Sequence, residues 1–243
     1  MGRKSGLGAW LDPIALVAWG SLPYFYAAQG RLTLLVRSEY LWLVLVAGIL
    51  LVGLGVGQGV LLWRADQNGV AGHRPSLGWG SRLLLAAVVL GIIFSPRPLS
   101  SQTALVRGGG NLANPGRLAP QRFQIVLDPS QRSLLDWVRT VQAYPDPDSY
   151  AGQAVNIQGF VIHPPEASAE TFWLARFVIG CCAADAYPVG LWVHWPQAAT
   201  LPSDQWQRVT GTMAVGVDAQ GSRQLRVMAE SVQAIPTPQN PYG

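Results

Sequence analysis

Charge is what this sequence has least of. Only 12% of its 243 residues are Asp, Glu, Lys or Arg, where a soluble domain carries about a quarter. Between Tyr40 and Trp63 there is none. A stretch so poor in charge is not built to be solvated along its length, and it points to a bilayer. Cysteine is nearly as scarce: there are two, Cys181 and Cys182, and they are adjacent, which excludes an ordinary disulfide scaffold. No phosphate loop, nucleophile elbow, paired-carboxylate site or zinc-protease motif is visible. Positive grounds for an enzyme are therefore lacking. The net charge of +4 and a pI near 9.4 hint at nucleic acid, but the basic residues are scattered and many lie beside apolar segments. Flanking a membrane is the more economical explanation, and no nucleic-acid partner is expected.

What is present divides into two halves. Residues 1–99 read as a transmembrane region with two or three helices, about 11–28, 41–62 and 79–95. The run from Leu41 to Leu62 is apolar apart from Gln58. At ~1.5 Å per residue it covers the ~30 Å hydrocarbon core of a bilayer. Gly53, Gly55, Gly57 and Gly59 supply two overlapping G-x-x-x-G spacings, through which another helix can approach closely. The first stretch contains Asp12, Pro13 and Pro23 and is less regular. Arg3 and Lys4 ahead of it resemble the start of a signal peptide, but the prolines, the length and the lack of an A-x-A site favour an uncleaved helix. The third spans if it begins near Trp79 with Arg82 snorkelling, and Pro96 and Pro98 end it. Trp10, Trp42, Trp63 and Trp79 suit an interfacial belt. Arg3, Lys4, Arg64, Arg74 and Arg82 on one side, against Arg31, Arg37, Arg97 and Arg107 on the other, favour an inside N-terminus. With three spans the second half then lies on the extracytoplasmic side.

Residues 100–122, rich in Gly, Asn and Pro, read as a linker, and 123–243 as a soluble β-rich domain. A strand is expected from Phe123 to Leu127. Asp128 then caps a helix with Pro129 at its first position and Gln131 closing a capping box. Leu134, Leu135, Val138 and Val141 mark its apolar face, and Pro145 and Pro147 stop it. Five strands follow: Val155–Ile162, Phe172–Ile179, Val189–Trp195, Trp206–Val215 and Leu225–Ile235. The fold class expected is thus an α-helical membrane half, then a mainly β domain, an OB-like five-stranded barrel with one preceding helix. A small open sheet or sandwich is the alternative.

Cys181 and Cys182 sit in FVIGCCAADAYPVG, just after a predicted strand. Neighbouring side chains of a strand point to opposite faces, so both thiols serve one site only if the segment from Gly180 onward turns the backbone. The candidate partners are Asp185, His163 and His194. Thiolate with imidazole or carboxylate suits zinc or another thiophilic metal. The plainer alternative is a packed cysteine, a turn-capping Asp185 and incidental histidines. A thiol redox role ranks below metal binding, because a vicinal disulfide needs unusual backbone. An OB-type oligonucleotide binder, drawing on Trp192, Trp195 and Arg208, is weaker still.

The blocks YAGQAVNIQGFV (Tyr150 to Val161), LARFVIGCCAADA (Leu174 to Ala186) and WQRVTG (Trp206 to Gly211), with PRPLSSQTA (Pro96 to Ala104) closing the membrane part, resemble the YcgQ-type permease-subunit family along nearly the whole chain. The resemblance implies a multi-pass protein of the bacterial cell membrane. It also implies a non-catalytic subunit working with a separate multi-span permease, with Cys181, Cys182 and Asp185 as the motif residues. His163 and His194 come from spacing alone.

Overall fold

The computed structural model describes residues 7–68, 78–108, 128–217, 221 and 223–242. The chain divides into two compact units, Met1–Arg97 and Pro98–Gly243.

The first unit is helical: α1 (Leu7–Ala28), α2 (Leu41–Gln67) and α3 (Gly78–Ile93). All three expected helices are present, and α1 tolerates both Pro13 and Pro23 within it. It packs against α2 and α3. The close approach of α1 and α2 is made by glycine: a Cβ on Gly48 would sit 2.8 Å from the Gly20 carbonyl, and one on Gly55 2.8 Å from that of Pro13. Gly53 and Gly57 have nothing within 4 Å. The surface that α1 uses is therefore a Gly48–Gly55 face, and the Gly53-x-x-x-Gly57 pair is left open. On α3, Leu84 and Gly91 accept hydrogen bonds through their carbonyls from Trp19 Nε1 (3.0 Å) and the Tyr26 hydroxyl (2.5 Å), and Ser81 donates to Asp12. One helix among the described residues, Ser38–Gln67 with 30 residues, is long and apolar enough to cross a membrane, and a shorter apolar helix covers Trp79–Ile93. Along α2, Trp42, Leu50 and Leu54 are 64%, 62% and 60% exposed.

The second unit opens with α4 (Ser101–Arg107), a helix where a linker is expected. Ser100 caps it by accepting from the Thr103 amide, and Ala104 is fully buried. The rest of the expected linker and the strand Phe123–Leu127 lie outside the described residues. Asp128 caps only a short 3-10 turn, Pro129–Gln131, and not the helix. The helix α5 (Leu134–Ala143) starts later, at a reciprocal capping box of Ser133 and Asp136. Asp136 takes the place expected for Gln131, because its carboxylate also accepts from the Ser133 amide at 3.2 Å.

Five strands, β1 (Ala154–Ile162), β2 (Thr171–Val178), β3 (Tyr187–His194), β4 (Trp206–Val217) and β5 (Arg223–Ala234), close into a barrel in the order β1-β2-β3-β5-β4. All pairs are antiparallel except β3 with β5. This is the OB-like barrel expected. Alternate residues point inward: Val155, Ile157 and Val161, Phe172 and Leu174, Val189, Leu191 and Val193, Val209 and Met213, and Leu225 and Val227 form one core, which α5 covers with Leu134, Trp137 and Val138. The seams are unequal. The β4–β5 pair registers from Gln207 to Val217 and β2–β3 along the whole of both strands. By contrast, β1–β2 registers only from Phe160 to Ile162, and β3–β5 only from Trp192 to His194. Outside the core, Phe160 stacks on Phe177 with centroids 5.5 Å apart, Tyr242 meets Phe177 edge-on, and the Tyr242 hydroxyl accepts from the Leu99 amide at 3.1 Å.

Candidate functional site

The turn between β2 and β3 is pinned at both ends, since Ile179 and Ala186 are buried. Between them the chain is lifted outward: Cys181 is exposed and Cys182 half-buried, both as free thiols. The backbone does turn, as joint use of the thiols requires. Cys182 is extended, a 3-10 turn follows from Ala183 to Asp185, and the Asp185 amide donates back to the Cys182 carbonyl at 3.1 Å. This winding returns the Asp185 carboxylate over the start of the loop, where it accepts from the Gly180 amide (3.0 Å) and the Cys181 amide (2.7 Å). Glycine at position 180 leaves room for this, since a Cβ there would lie 2.9 Å from the carboxylate and the Asp185 side chain would have to shift.

The carboxylate also takes the Cys181 thiol proton in a hydrogen bond, and this bond, joined by one with Cys182, pushes the Cys181 thiol up to about 11. For Asp185 itself, burial works to raise the pKa. The amide of Cys181, the thiol of Cys181 and the amides of Gly180 and Cys182 outweigh it and hold the carboxyl below its ordinary range. The Cys181 thiol is thus held in its protonated, unreactive form beside an ionised carboxylate.

The histidines stand elsewhere. His194 closes β3, seven residues beyond Tyr187, about 23 Å along a strand rising ~3.3 Å per residue. His163 follows Ile162, which registers with Trp173, and so lies at the same barrel end as His194. Its Nε2 donates to the Leu201 carbonyl at 2.9 Å. The structure brings together Cys181, Cys182 and Asp185 and leaves His163 and His194 apart. Among the described residues no group of three or more His, Cys, Asp or Glu side chains is set to enclose a metal ion.

A residue that the sequence assigns only to a membrane flank also reaches this loop. Arg107, at the end of α4, donates from Nη1 to the carbonyls of Ala183 and Ala186, each at 2.9 Å. At 76 and 79 residues' separation no local pattern announces it.

The description DUF1980 C-terminal domain names a family model that matches residues 122–243. The chain belongs to this family. The DUF1980 C-terminal domain match takes in the whole barrel and all five candidate residues, and Arg107 and α4 precede it. Comparison with curated proteins finds no match.

Proposed function

We propose that this protein is a membrane-anchored, non-catalytic subunit of a permease system in the bacterial cell membrane. In this reading its OB-like domain lies on the extracytoplasmic side and offers a soft metal ion, zinc or another thiophilic cation, to a separate multi-span partner. The single observation that supports it most is the pairing, in one chain, of a 30-residue apolar helix with an exposed loop in which Cys181, Cys182 and Asp185 converge. Two thiols and a carboxylate suit a thiophilic ion, and an incomplete ligand set suits transfer better than storage. The apolar side chains exposed on α2 need a solvent other than water, and lipid supplies it. The YcgQ-type resemblance adds the multi-span partner.

A thiol oxidoreductase is less well supported, since catalysis needs a thiolate near neutral pH and Asp185 keeps Cys181 protonated. An oligonucleotide site is supported less again: of Trp192 and Trp195, on which it would draw, both are half-buried and Trp195 packs against the core, which leaves little aromatic face for stacking.

The experiment is extraction of the full chain in mild detergent under reducing conditions, beside a Cys181→Ser/Cys182→Ser variant. Metal content and accompanying proteins are then read by mass spectrometry. Near-stoichiometric metal that disappears in the variant, together with a polytopic partner, is the expected result. A metal-free chain recovered alone would sink the reading.

A further inference from the structure

The barrel leaves part of one strand edge without a neighbouring strand. β1 registers with β2 only as far as Phe160 against Ala175, so the edge of β2 from Arg176 to Val178 faces the seam without it. The segment after β5 fills this gap: Tyr242 forms a parallel bridge with Phe177. Because β3 already holds the other edge of Phe177 through Pro188, the bridge lies on the seam side. We propose that this stretch of β2 is a strand-accepting slot and that Asn240–Tyr242 is its built-in occupant, a latch that seats and unseats as a unit.

A bare strand edge is a template on which an extended segment can add itself. The occupant is made to seat without zipping. Pro236, Pro238 and Pro241 favour an extended chain and lack the amide donors that a continuous ladder needs. After the Ile235 amide donates to the Trp206 carbonyl at 2.9 Å, Pro236, Thr237, Gln239 and Asn240 are exposed, and full burial returns at Pro241 and Tyr242. Tyr242 is the anchor. It is 3% exposed, and its ring meets Phe177 edge-on at 6.4 Å, with Phe177 stacked in turn on Phe160. Polar contacts set its position. Arg176, lying over the Trp206 ring, donates from Nη2 to the Asn240 carbonyl at 3.2 Å, and the Tyr242 amide donates to the Asn240 side chain at 3.3 Å.

The latch reaches past the seam. The Leu99 amide donates to the Tyr242 hydroxyl at 3.1 Å, and Leu99 leads into α4. One aromatic side chain therefore closes the gap beside β1 and clasps the approach to α4, and its release frees both together. Opening it unseats two buried residues and one bridge, which is a smaller event than parting a ladder.

The test is a fluorescent peptide with the sequence of residues 236–242, Pro-Thr-Pro-Gln-Asn-Pro-Tyr, titrated onto the full chain in detergent and followed by anisotropy. In the wild type the chain's own segment competes at an effective concentration on the order of millimolar, so the peptide is expected to bind Tyr242→Ala at least about tenfold more tightly than wild type. The same peptide carrying the Tyr242→Ala change is expected to bind neither chain. Equal binding to both chains, or no binding to Tyr242→Ala up to about 1 mM peptide, overturns the proposal. Hydrogen exchange of the Leu99 amide in the wild type gives a second readout that needs no variant, and it decides if Tyr242→Ala does not fold. Exchange through an opening lower in energy than that of the β4–β5 ladder is expected, and protection equal to the ladder's overturns the latch.

Discussion

Cys181 shows how a neighbour can silence a thiol that exposure alone would leave reactive. A surface cysteine titrates near its ordinary value and alkylates readily, yet here the Asp185 carboxylate and then the Cys182 side chain favour the protonated form. Because the folded-state pKa is raised, the hydrogen bond stabilises the fold fully below the ordinary value of 9.0 and is lost as pH climbs through about 11. Alkylation of Cys181, followed by peptide mass spectrometry, is therefore expected to be slow at neutral pH and still accelerating near pH ~10. Asp185→Asn is expected to move the midpoint down toward 9.0. Rapid labelling of the wild type at pH ~7 would contradict the geometry. Asp185 shows both what a sequence can and cannot convey. Its nearness to the cysteines is legible from C-C-A-A-D, and so is its capping role. That its carboxylate folds back over Gly180 depends on a turn whose outer support, Arg107, lies in a different element. His163 and His194 are close to the cysteines in number only, because a strand carries a residue away from its neighbours by ~3.3 Å at every step.

At the scale of elements, periodicity and punctuation locate most of the barrel. The five strands stand within a few residues of where alternation puts them, since inward positions such as Val155, Ile157, Phe172, Leu174, Val189, Leu191 and Val193 are those the core buries. Boundaries set by caps are harder to read. Asp128-Pro129 carries the signs of a helix start, but Ser133 with Asp136 satisfies both reciprocal bonds and takes the helix. The stretch from Ser101 to Arg107 has no strong apolar period, and its helix owes its place to the burial of Ala104 and Ser101. In α2 the glycines are alike in sequence and unlike in use. Gly48→Leu is expected to break the packing of α1 on α2, because its Cβ already meets the Gly20 carbonyl, at a cost of about 1–3 kcal/mol or more for overpacking. Gly57→Leu, with nothing within 4 Å, is expected to leave the melting temperature of the detergent-solubilised chain unchanged within error. Equal losses in both variants would mean that α2 uses a different face.

The whole molecule joins two compact units that treat their apolar residues differently. The first exposes Trp42, Leu50 and Leu54 along an uncharged helix stretch, and the second buries its apolar residues in a closed barrel under α5. The exposed apolar helix is legible from the absence of charge between Tyr40 and Trp63. The closure of the barrel is legible only through the number of strands, because the parallel β3–β5 pairing that completes it joins segments separated by the whole of β4. The unequal seams of that barrel carry a dynamic consequence. The β2–β3 hairpin is knit along its full length, but each of its outer edges is stitched to the rest of the ring over three residues: Phe160–Ile162 on one side and Arg226–Met228 on the other. It is a panel on two short hinges, tied besides at Phe177 to Tyr242 and at the thiol loop to Arg107. Sub-global opening of a fold follows its weakest joints. Exchange of the β2 and β3 amides is accordingly expected to proceed through a lower-energy opening than that of the β4–β5 ladder, and uniform protection across the barrel would show that the hinges are stiffer than their length suggests. The thiol loop is the one corner of this panel with a tie of its own, since Arg107 joins it to α4: the edges can loosen while the thiols stay moored.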